Sequence, residues 1–296
     1  MKTGRVGYNR SALLLSALGM SALLSSVAHA GDVYLTGHDV TLHSGQAGYD
    51  AVILDYLRGA TPKASYSIGV VGTYNNGGAN FTGSGVNIPS VVSGSTFSTA
   101  GSTLTGYASA RFYDAVALAA LPSATRDTIL AGFSVLVVLS HENCGGCSMT
   151  TAGANALASM SANIATAFNN GMDIFGESSA GTAGFYNFLP PSAAASGPSI
   201  GSSSGFTATA AGTALGIVNG MINGYQTHNE FTSVAAAFTV FEVRGAQIIS
   251  IGLKDGVITT GGITTGGTAV PDSGSAAFLL ALALPALGYL RRKIRS

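Results

Sequence analysis

Segments of continuous or periodic hydrophobicity predict an alternation of strands and helices along this chain. Residues 133–140, FSVLVVLS, form an unbroken apolar and largely β-branched run, which is typical of a strand buried in a parallel sheet. Residues 49–58, YDAVILDYLR, carry apolar side chains at helical spacing and stop at Gly59, a favourable residue after a helix. The Ala-rich residues 151–170 predict a long helix that ends at Gly171.

The weaker segments complete the same alternation. Strand–helix–strand order favours an α/β fold, a three-layer sandwich with a mostly parallel sheet. The alternative is an all-β secreted domain, which the high Gly, Ser and Thr content favours. The remaining predicted strands are 32–36, 66–71, 172–176, 238–244 and 247–253, the remaining helices 108–121 and 213–221, and the long loops 72–106 and 191–205.

The N-terminus has the three parts of an export signal. Lys2, Arg5 and Arg10 are followed by an apolar run at residues 12–24. Ala28-His29-Ala30 then places small residues at the −3 and −1 positions of a cleavage site, so signal peptidase is expected to cut after Ala30. The alternative is an uncleaved anchor helix, for which the apolar run is short.

The C-terminus has the pattern of a short membrane span with a cationic stop. Residues 256–269 are rich in Gly and Thr and are predicted to be a linker. An apolar stretch at 276–290 precedes a basic cluster at 291–295, which should stay cytoplasmic and so places the body outside. Between linker and helix stand Val270, Pro271, Asp272, Ser273 and Gly274.

This order of motif, apolar helix and Arg-rich end resembles the PEP-CTERM class of sorting signals in its VPDSG variant. The resemblance covers about the last 27 residues and implies processing by an exosortase, a membrane cysteine protease. It also implies an exported, membrane-held intermediate that ends in the envelope or the extracellular matrix. The alternative is an ordinary C-terminal anchor. The predicted organisation is a signal peptide at 1–30, an α/β domain at 31–255, a linker at 256–269 and a sorting tail at 270–296.

The charge of the body limits the classes of partner that it can bind. The whole chain has 13 Lys and Arg against 13 Asp and Glu, but residues 31–269 contain twelve acids and only six bases. Such a body lacks the basic surface that a nucleic-acid binder needs. A sparsely charged, Gly- and Ser-rich surface also suits contact with a neutral polymer such as an exopolysaccharide.

Three polar loops are candidates for a functional site. In an open parallel sheet, ligands bind beyond the carboxyl ends of the strands, and each of these loops follows a predicted strand. The loops are residues 36–39 with His43, residues 140–147, and residues 176–181. Their convergence would form the site.

Cys144 and Cys147 are the only cysteines, in a C-x-x-C spacing. In an exported protein this spacing favours a disulfide over a redox centre or a metal site. Zinc would need more ligands, for which His141 and His38 have the right chemistry, but the spacing does not require it. No metal or other cofactor is predicted.

The element order also resembles class I glutamine-amidotransferase-like domains, which are flavodoxin-like. That resemblance implies a nucleophile at a strand-to-helix elbow, where this chain has no Cys but a Gly-x-Ser-x-Ala turn centred on Ser178. His228 follows in chain order as a candidate base, with an acid to orient it. A second version pairs Cys144 with His141, and the alternative to both is an ordinary Ser/Gly turn. The acids considered for His228 are Asp173, Glu230 and Glu242.

Two further segments are rich in side chains that bind ligands or fill cores. Residues 185–191, FYNFLPP, could stack on sugars, although core packing is the favoured interpretation. Residues 225–231, YQTHNEF, could supply a base, although a structural loop is favoured. Three functions therefore stand: a non-catalytic surface or matrix protein, a secreted hydrolase or amidotransferase-like enzyme, and a polysaccharide-binding module.

Overall fold

The protein is described by a computed structural model that covers residues 30–41, 48–73, 92–98, 100, 102–145, 147–190 and 193–265. The predicted N-terminal signal, His43, the sorting motif 270–274 and the apolar stretch after it lie outside the described residues. Within the described part, no helix is both long and apolar enough to span a bilayer.

Strands and helices alternate through the first two thirds of the body, as predicted. The strands are β1 (Val33–Thr36), β2 (Ser67–Gly72), β3 (Ser109–Asp114), β4 (Val135–Val138), β5 (Asp173–Gly176), β6 (Ala194–Ser196), β7 (Thr207–Ala208), β8 (Phe231–Val234), β9 (Thr239–Arg244), β10 (Gln247–Leu253), β11 (Gly256–Thr259) and β12 (Gly262–Thr265). The α-helices are α1 (Tyr49–Arg58), α2 (Ala115–Ala119), α3 (Ser123–Leu130), α4 (Thr151–Ser159), α5 (Ser161–Asn169), α6 (Ala210–Ala214) and α7 (Asn219–Ile222). The mixed α/β class is confirmed, and the all-β alternative is wrong.

A ten-stranded sheet organises the body. Its order is β3-β2-β4-β5-β1-β10-β8-β6, with β9 also paired to β10 and β7 paired to β9. The five strands from β3 to β1 are parallel. Strands β6 to β10 pair antiparallel and extend the sheet beyond β1, whereas β11 and β12 form a separate two-stranded sheet. The order reverses between β2 and β4, because the chain leaves β2 towards one side and β4 towards the other. In α/β sheets such a reversal marks the ligand crevice.

Apolar side chains cover both faces of the parallel strands. Val33 and Leu35 of β1 belong to one buried cluster, and Tyr34 between them belongs to another, as strand alternation requires. The first cluster includes side chains of helices α2 to α5, and the second includes those of α1. The parallel strands are therefore buried on both faces, which explains the unbroken apolar run in β4.

Two predicted helices differ in the structure. The segment 108–121 begins as strand β3, and only Ala115–Ala119 is helical because the Asp114 side chain caps that helix by accepting the Ala117 N–H. The segment 151–170 forms two helices, α4 and α5, since Met160 leaves the helical conformation. The break lets α4 pack on α2 while α5 packs on α3.

The predicted linker is also different, because residues 256–265 form the β11–β12 hairpin. Ile258 and Ile263 are buried in the core, and Asn169 of α5 exchanges side-chain hydrogen bonds of 2.8 Å with the backbone of Ile258. The hairpin thus belongs to the body, which extends at least to Thr265. The predicted helix 213–221 is likewise replaced by the short helices α6 and α7, and strand β6 lies inside the predicted loop 191–205.

Candidate functional site

The three candidate loops meet where β1, β4 and β5 end, which we call the carboxyl edge. The backbone N–H of His141 donates to the carbonyl of Ser178 over 2.9 Å. The N–H of Ser178 donates in turn to the carbonyl of His38 over 3.2 Å. A fourth segment, residues 227–229, joins them, because the His228 N–H donates to the Gly37 carbonyl over 2.9 Å.

His228 is paired with an acid at this edge. Its Nε2 lies 3.2 Å from Oδ2 of Asp39, a carboxylate with no solvent exposure. The acid beside His228 is therefore Asp39, and none of the three acids considered from the sequence contacts it in this way. Glu242 pairs with His38, Asp173 lies at the opposite end of β5, and the Glu230 carbonyl accepts a bond from Gly197.

Ser178 is fully buried, and its hydroxyl is engaged by neighbours other than His228. Its Oγ donates to Oδ1 of Asn229 over 2.7 Å and accepts the N–H of Ala180 over 3.0 Å. A nucleophile elbow holds its serine in a strained turn, whereas here Ala180 has the positive φ of 48°. The structure brings Ser178 and residue 228 to the same edge and leaves the catalytic pairing of Ser178 with His228 a prediction.

Glu177 is a buried carboxyl group beside the same loops. It accepts bonds from the N–H and hydroxyl of Thr41, both 2.9 Å, and from the N–H and hydroxyl of Ser140, both 3.2 Å. Burial raises the pKa of Glu177 to about 8, and the nearby Asp39 charge adds to that rise. The group therefore carries a proton at neutral pH and ties the β1 and β4 loops together.

His38 lies in a separate polar network below the edge. Its Nε2 is 2.9 Å from Glu242 Oε2, and its Nδ1 is 2.8 Å from the Thr227 hydroxyl. The hydroxyls of Tyr34 and Tyr49 both donate to the same carboxylate. Burial raises the pKa of each of these tyrosines well above its usual value. This network holds β1 to β9 and gives His38 no role as a ligand near the cysteines.

Cys144 and Cys147 form a disulfide, with their Cα atoms 5.8 Å apart. One carboxylate oxygen of Asp39 and the two sulfur atoms lie within 4.8 Å of one another. Both sulfurs are bonded to each other, so neither is a thiolate that could bind a metal or attack a substrate. His141 contacts Thr182 and Thr151 hydroxyls through its ring nitrogens, and burial lowers its pKa.

A cavity of about 900 Å³ lies at the opposite end of the parallel strands, which we call the amino edge. Asp173 accepts the Tyr66 hydroxyl over 2.6 Å and the Asp32 N–H over 2.8 Å. Burial raises the pKa of Asp173 to about 7. This cavity is larger than a water site, but it is remote from the carboxyl edge, where the predicted chemistry is concentrated. The other charged residues that line it are Asp32, Arg58, Asp127, Lys254 and Asp255.

The aromatic residues of the segment 185–190 pack inside the body. Phe185, Tyr186 and Phe188 are all buried, and Tyr186 donates to the Glu177 carbonyl over 2.9 Å. The exposed large apolar side chains in the described part are Val92, Val116, Leu121 and Val218, none of them aromatic. Core packing is therefore the role of these rings, and the described surface offers no exposed aromatic shelf on which a sugar could stack.

Comparison with known proteins identifies a motif at the C-terminal end of the chain. Residues 269–294 match the VPDSG-CTERM motif. The tail is a VPDSG-CTERM sorting motif. No curated protein and no solved structure matches the chain, so the resemblance of the body to amidotransferase-like domains rests on element order alone. The VPDSG-CTERM motif implies an exported, envelope-associated protein with an exosortase-type processing partner.

Sequence reasoning named Asp39 only as part of a loop and missed Asn229 as the partner of Ser178. Both contacts join β1 or β5 to residues far along the chain, and no local pattern encodes them. Two features of the sequence could have pointed to these residues. Asp39 lies shortly after a predicted strand, and Asn229 lies in the dense polar segment 225–231.

Proposed function

We propose that this chain is exported, held at the membrane by its VPDSG-CTERM tail, and then cut by an exosortase-type protease. The α/β body would thereby reach the cell envelope or the exopolysaccharide matrix. The motif at residues 269–294 carries this proposal, and the export signal predicted at residues 1–30 supports it.

The position of the body boundary fits such processing. Strand β12 ends at Thr265, and the matched motif starts at residue 269. A cut within residues 270–274 therefore leaves every described strand in the released product. The hairpin's core contacts through Ile258 and Ile263 stay with the body.

Intact-mass measurement on the envelope and medium fractions tests the proposal. We expect the wild-type protein to lack residues 1–30 and the tail beyond the motif, and the Pro271→Ala and Asp272→Ala variants to keep the tail in the membrane. Thr268→Ala, just outside the match, is the control and should be processed normally. A wild-type protein that retains its tail in the membrane fraction would mean an ordinary anchor and would refute the proposal.

A second candidate function is hydrolysis or acyl transfer by Ser178 with His228. The Asp39–His228 pair at 3.2 Å favours it, because such enzymes place a buried acid beside the histidine that acts as base. The Ser178 hydroxyl points to Asn229, so the reaction requires Ser178 or His228 to turn towards the other. The Asp39–His228 pair and Ser178 lie at the same edge of the sheet, so only side chains at that edge need to move.

A fluorophosphonate probe tests this second function directly. An active serine would be labelled in the wild type and in Ser179→Ala, its neighbour with the same side chain, and labelling would vanish in Ser178→Ala and fall in His228→Gln. Wild-type protein that takes up no probe, or Ser178→Ala that still does, would exclude Ser178 as a nucleophile.

A further inference from the structure

The two cysteines of the disulfide differ in their exposure to solvent. Cys144 is partly exposed at the end of a short 3-10 turn, Glu142–Cys144, whereas Cys147 is buried at 1% exposure. An external thiolate can therefore reach Cys144 and not Cys147. Thiol–disulfide exchange needs such a difference, because one sulfur must be attacked while the other leaves.

The buried sulfur lies beside a buried carboxyl group. Cys147 Sγ is 3.6 Å from Asp39 Oδ2, and the same oxygen is 3.2 Å from His228 Nε2. When the disulfide opens, the buried sulfur needs a proton, and Asp39 is the carboxyl group within reach.

The disulfide contributes little as a structural brace. The two cysteines are separated by only three positions in the sequence, and loops this short gain least from cross-linking. The loop is already closed by the backbone, because Glu142 N–H donates to Met149 over 2.8 Å and Met149 N–H donates to Ser140 over 2.9 Å. The loop also follows β4, one of the two strands that flank the reversal of strand order.

We propose that Cys144–Cys147 is a redox-active disulfide that oxidises dithiol substrates, with Asp39 as the proton donor and acceptor for Cys147. A substrate thiol loses its proton to Asp39 and attacks Cys144 Sγ, the bond between the two cysteines breaks, and its electron pair goes to Cys147. Asp39 passes the proton taken from the substrate to Cys147. The second substrate thiolate then attacks the substrate sulfur of the mixed disulfide and releases Cys144. The substrate gains a disulfide, and the protein keeps the two electrons as two thiols.

His228 acts through Asp39 and is a positioning residue. Its Nε2 lies 3.2 Å from the Asp39 oxygen that faces Cys147 Sγ. This proposal does not depend on how the tail is processed, so it stands or falls separately from the sorting function.

The first experiment equilibrates the full chain with glutathione redox buffers and counts alkylated cysteines by mass. We expect the disulfide to open reversibly across the buffers, and Cys147→Ser to leave a Cys144 thiol that reacts quickly with the chromogenic disulfide DTNB in the native protein. Cys144→Ser should leave Cys147 unreactive until the protein is unfolded. A disulfide that stays closed in reduced glutathione alone is a structural cross-link and would overturn the proposal.

The second experiment follows oxidation of a reduced peptide with two cysteines. We expect Asp39→Asn to oxidise the peptide at least about tenfold more slowly than wild type, in line with the loss of general acid–base catalysis. The matched control is Asp173→Asn, the same change at a buried carboxyl group of the amino edge, which should keep the wild-type rate. Circular dichroism and Cys147→Ser reactivity in the same background verify that each variant is folded.

The rate in Asp39→Asn decides the role of the carboxyl group. Equal rates in Asp39→Asn and wild type would remove Asp39 from the mechanism. For His228→Gln, a shift in the pH profile of peptide oxidation would show that His228 influences the proton transfer by Asp39. The other ionisable group beside Asp39 is Glu177. A uniform loss at every pH would mean that His228 only holds the fold.

Discussion

The two edges of the parallel sheet bury charged side chains in different ways. Below the carboxyl edge, His38 and Glu242 face each other at 2.9 Å with both side chains at 0% exposure. At the amino edge, Lys254 pairs with Asp32 while the lysine side chain is 43% exposed. The first pair is removed from water on all sides, and the second borders the cavity of about 900 Å³.

The difference in burial predicts which of the two pairs the stability of the fold depends on. A buried charge that loses its partner has no water to replace it, so the pair below the carboxyl edge must stay complete. A charge at the amino edge can turn to solvent when its partner is removed. The carboxyl edge is accordingly organised around fixed internal contacts, and the amino edge leaves room for an external ligand.

The largest effect is expected from His38→Leu. It leaves the Glu242 carboxylate buried with only tyrosine hydroxyls as donors, which should lower the free energy of unfolding by about 3–5 kcal/mol. Urea unfolding of the purified protein measures it. The double variant His38→Leu/Glu242→Met removes both polar partners and should recover much of the loss; a single variant as stable as wild type would contradict the comparison.

The pH dependence of stability should follow Glu177. Its folded pKa of about 8 lies above the ordinary value of 4.5, so the folded protein holds this proton more tightly than the unfolded chain. Its contribution is complete below pH 4.5 and is lost as the pH rises through 8. Between pH 5 and pH 8 this loss should be on the order of 3 kcal/mol.

Glu177→Gln tests that assignment, because an amide cannot ionise over this range. Unfolding measured at both pH values should show a smaller difference than wild type, with the remainder due to Asp173 and Asp50, whose pKa values burial raises to about 7 and about 6. Glu230→Gln, at a partly exposed position, is the control. A wild-type slope that persists in Glu177→Gln would assign the effect to other groups.

At the amino edge, Tyr66→Phe should have an intermediate effect. It removes the 2.6 Å hydrogen bond to Asp173 and should cost about 1–2 kcal/mol. Because that bond lowers the pKa of Asp173, its removal should raise the carboxyl pKa further, which a carbon-13 NMR titration would detect. Tyr113→Phe provides a matched change away from the cavity, and an unshifted Asp173 would contradict the assignment.

The smallest effect is expected from Lys254→Met. The part-exposed pair with Asp32 should contribute less than about 1 kcal/mol, and added salt should erase most of it. Methionine preserves packing on the Tyr56 ring, which the lysine nitrogen approaches to 4.1 Å. A loss as large as that of His38→Leu would show that the two edges do not differ in the way described.

Local patterns predicted the elements whose signals are contained in a few neighbouring residues. Helix α1 has the predicted bounds of Tyr49–Arg58, because its apolar spacing and the following Gly59 lie within one segment. Strand β4 lies inside the predicted apolar run for the same reason. Strand β3 was missed because its pairing with β2, and not its own sequence, makes it a strand.

The sequence by itself identified the sorting tail and favoured the α/β class of the fold. A sorting tail is read by other proteins as a linear segment, and hydrophobic periodicity is a local property, so both are legible before folding. The tertiary structure alone decided that Asp39 lies between His228 and Cys147, that Ser178 bonds to Asn229, and that the Gly/Thr segment joins the body as a hairpin. These contacts depend on which strands become neighbours in the sheet, because sheet pairing joins residues that no local pattern relates.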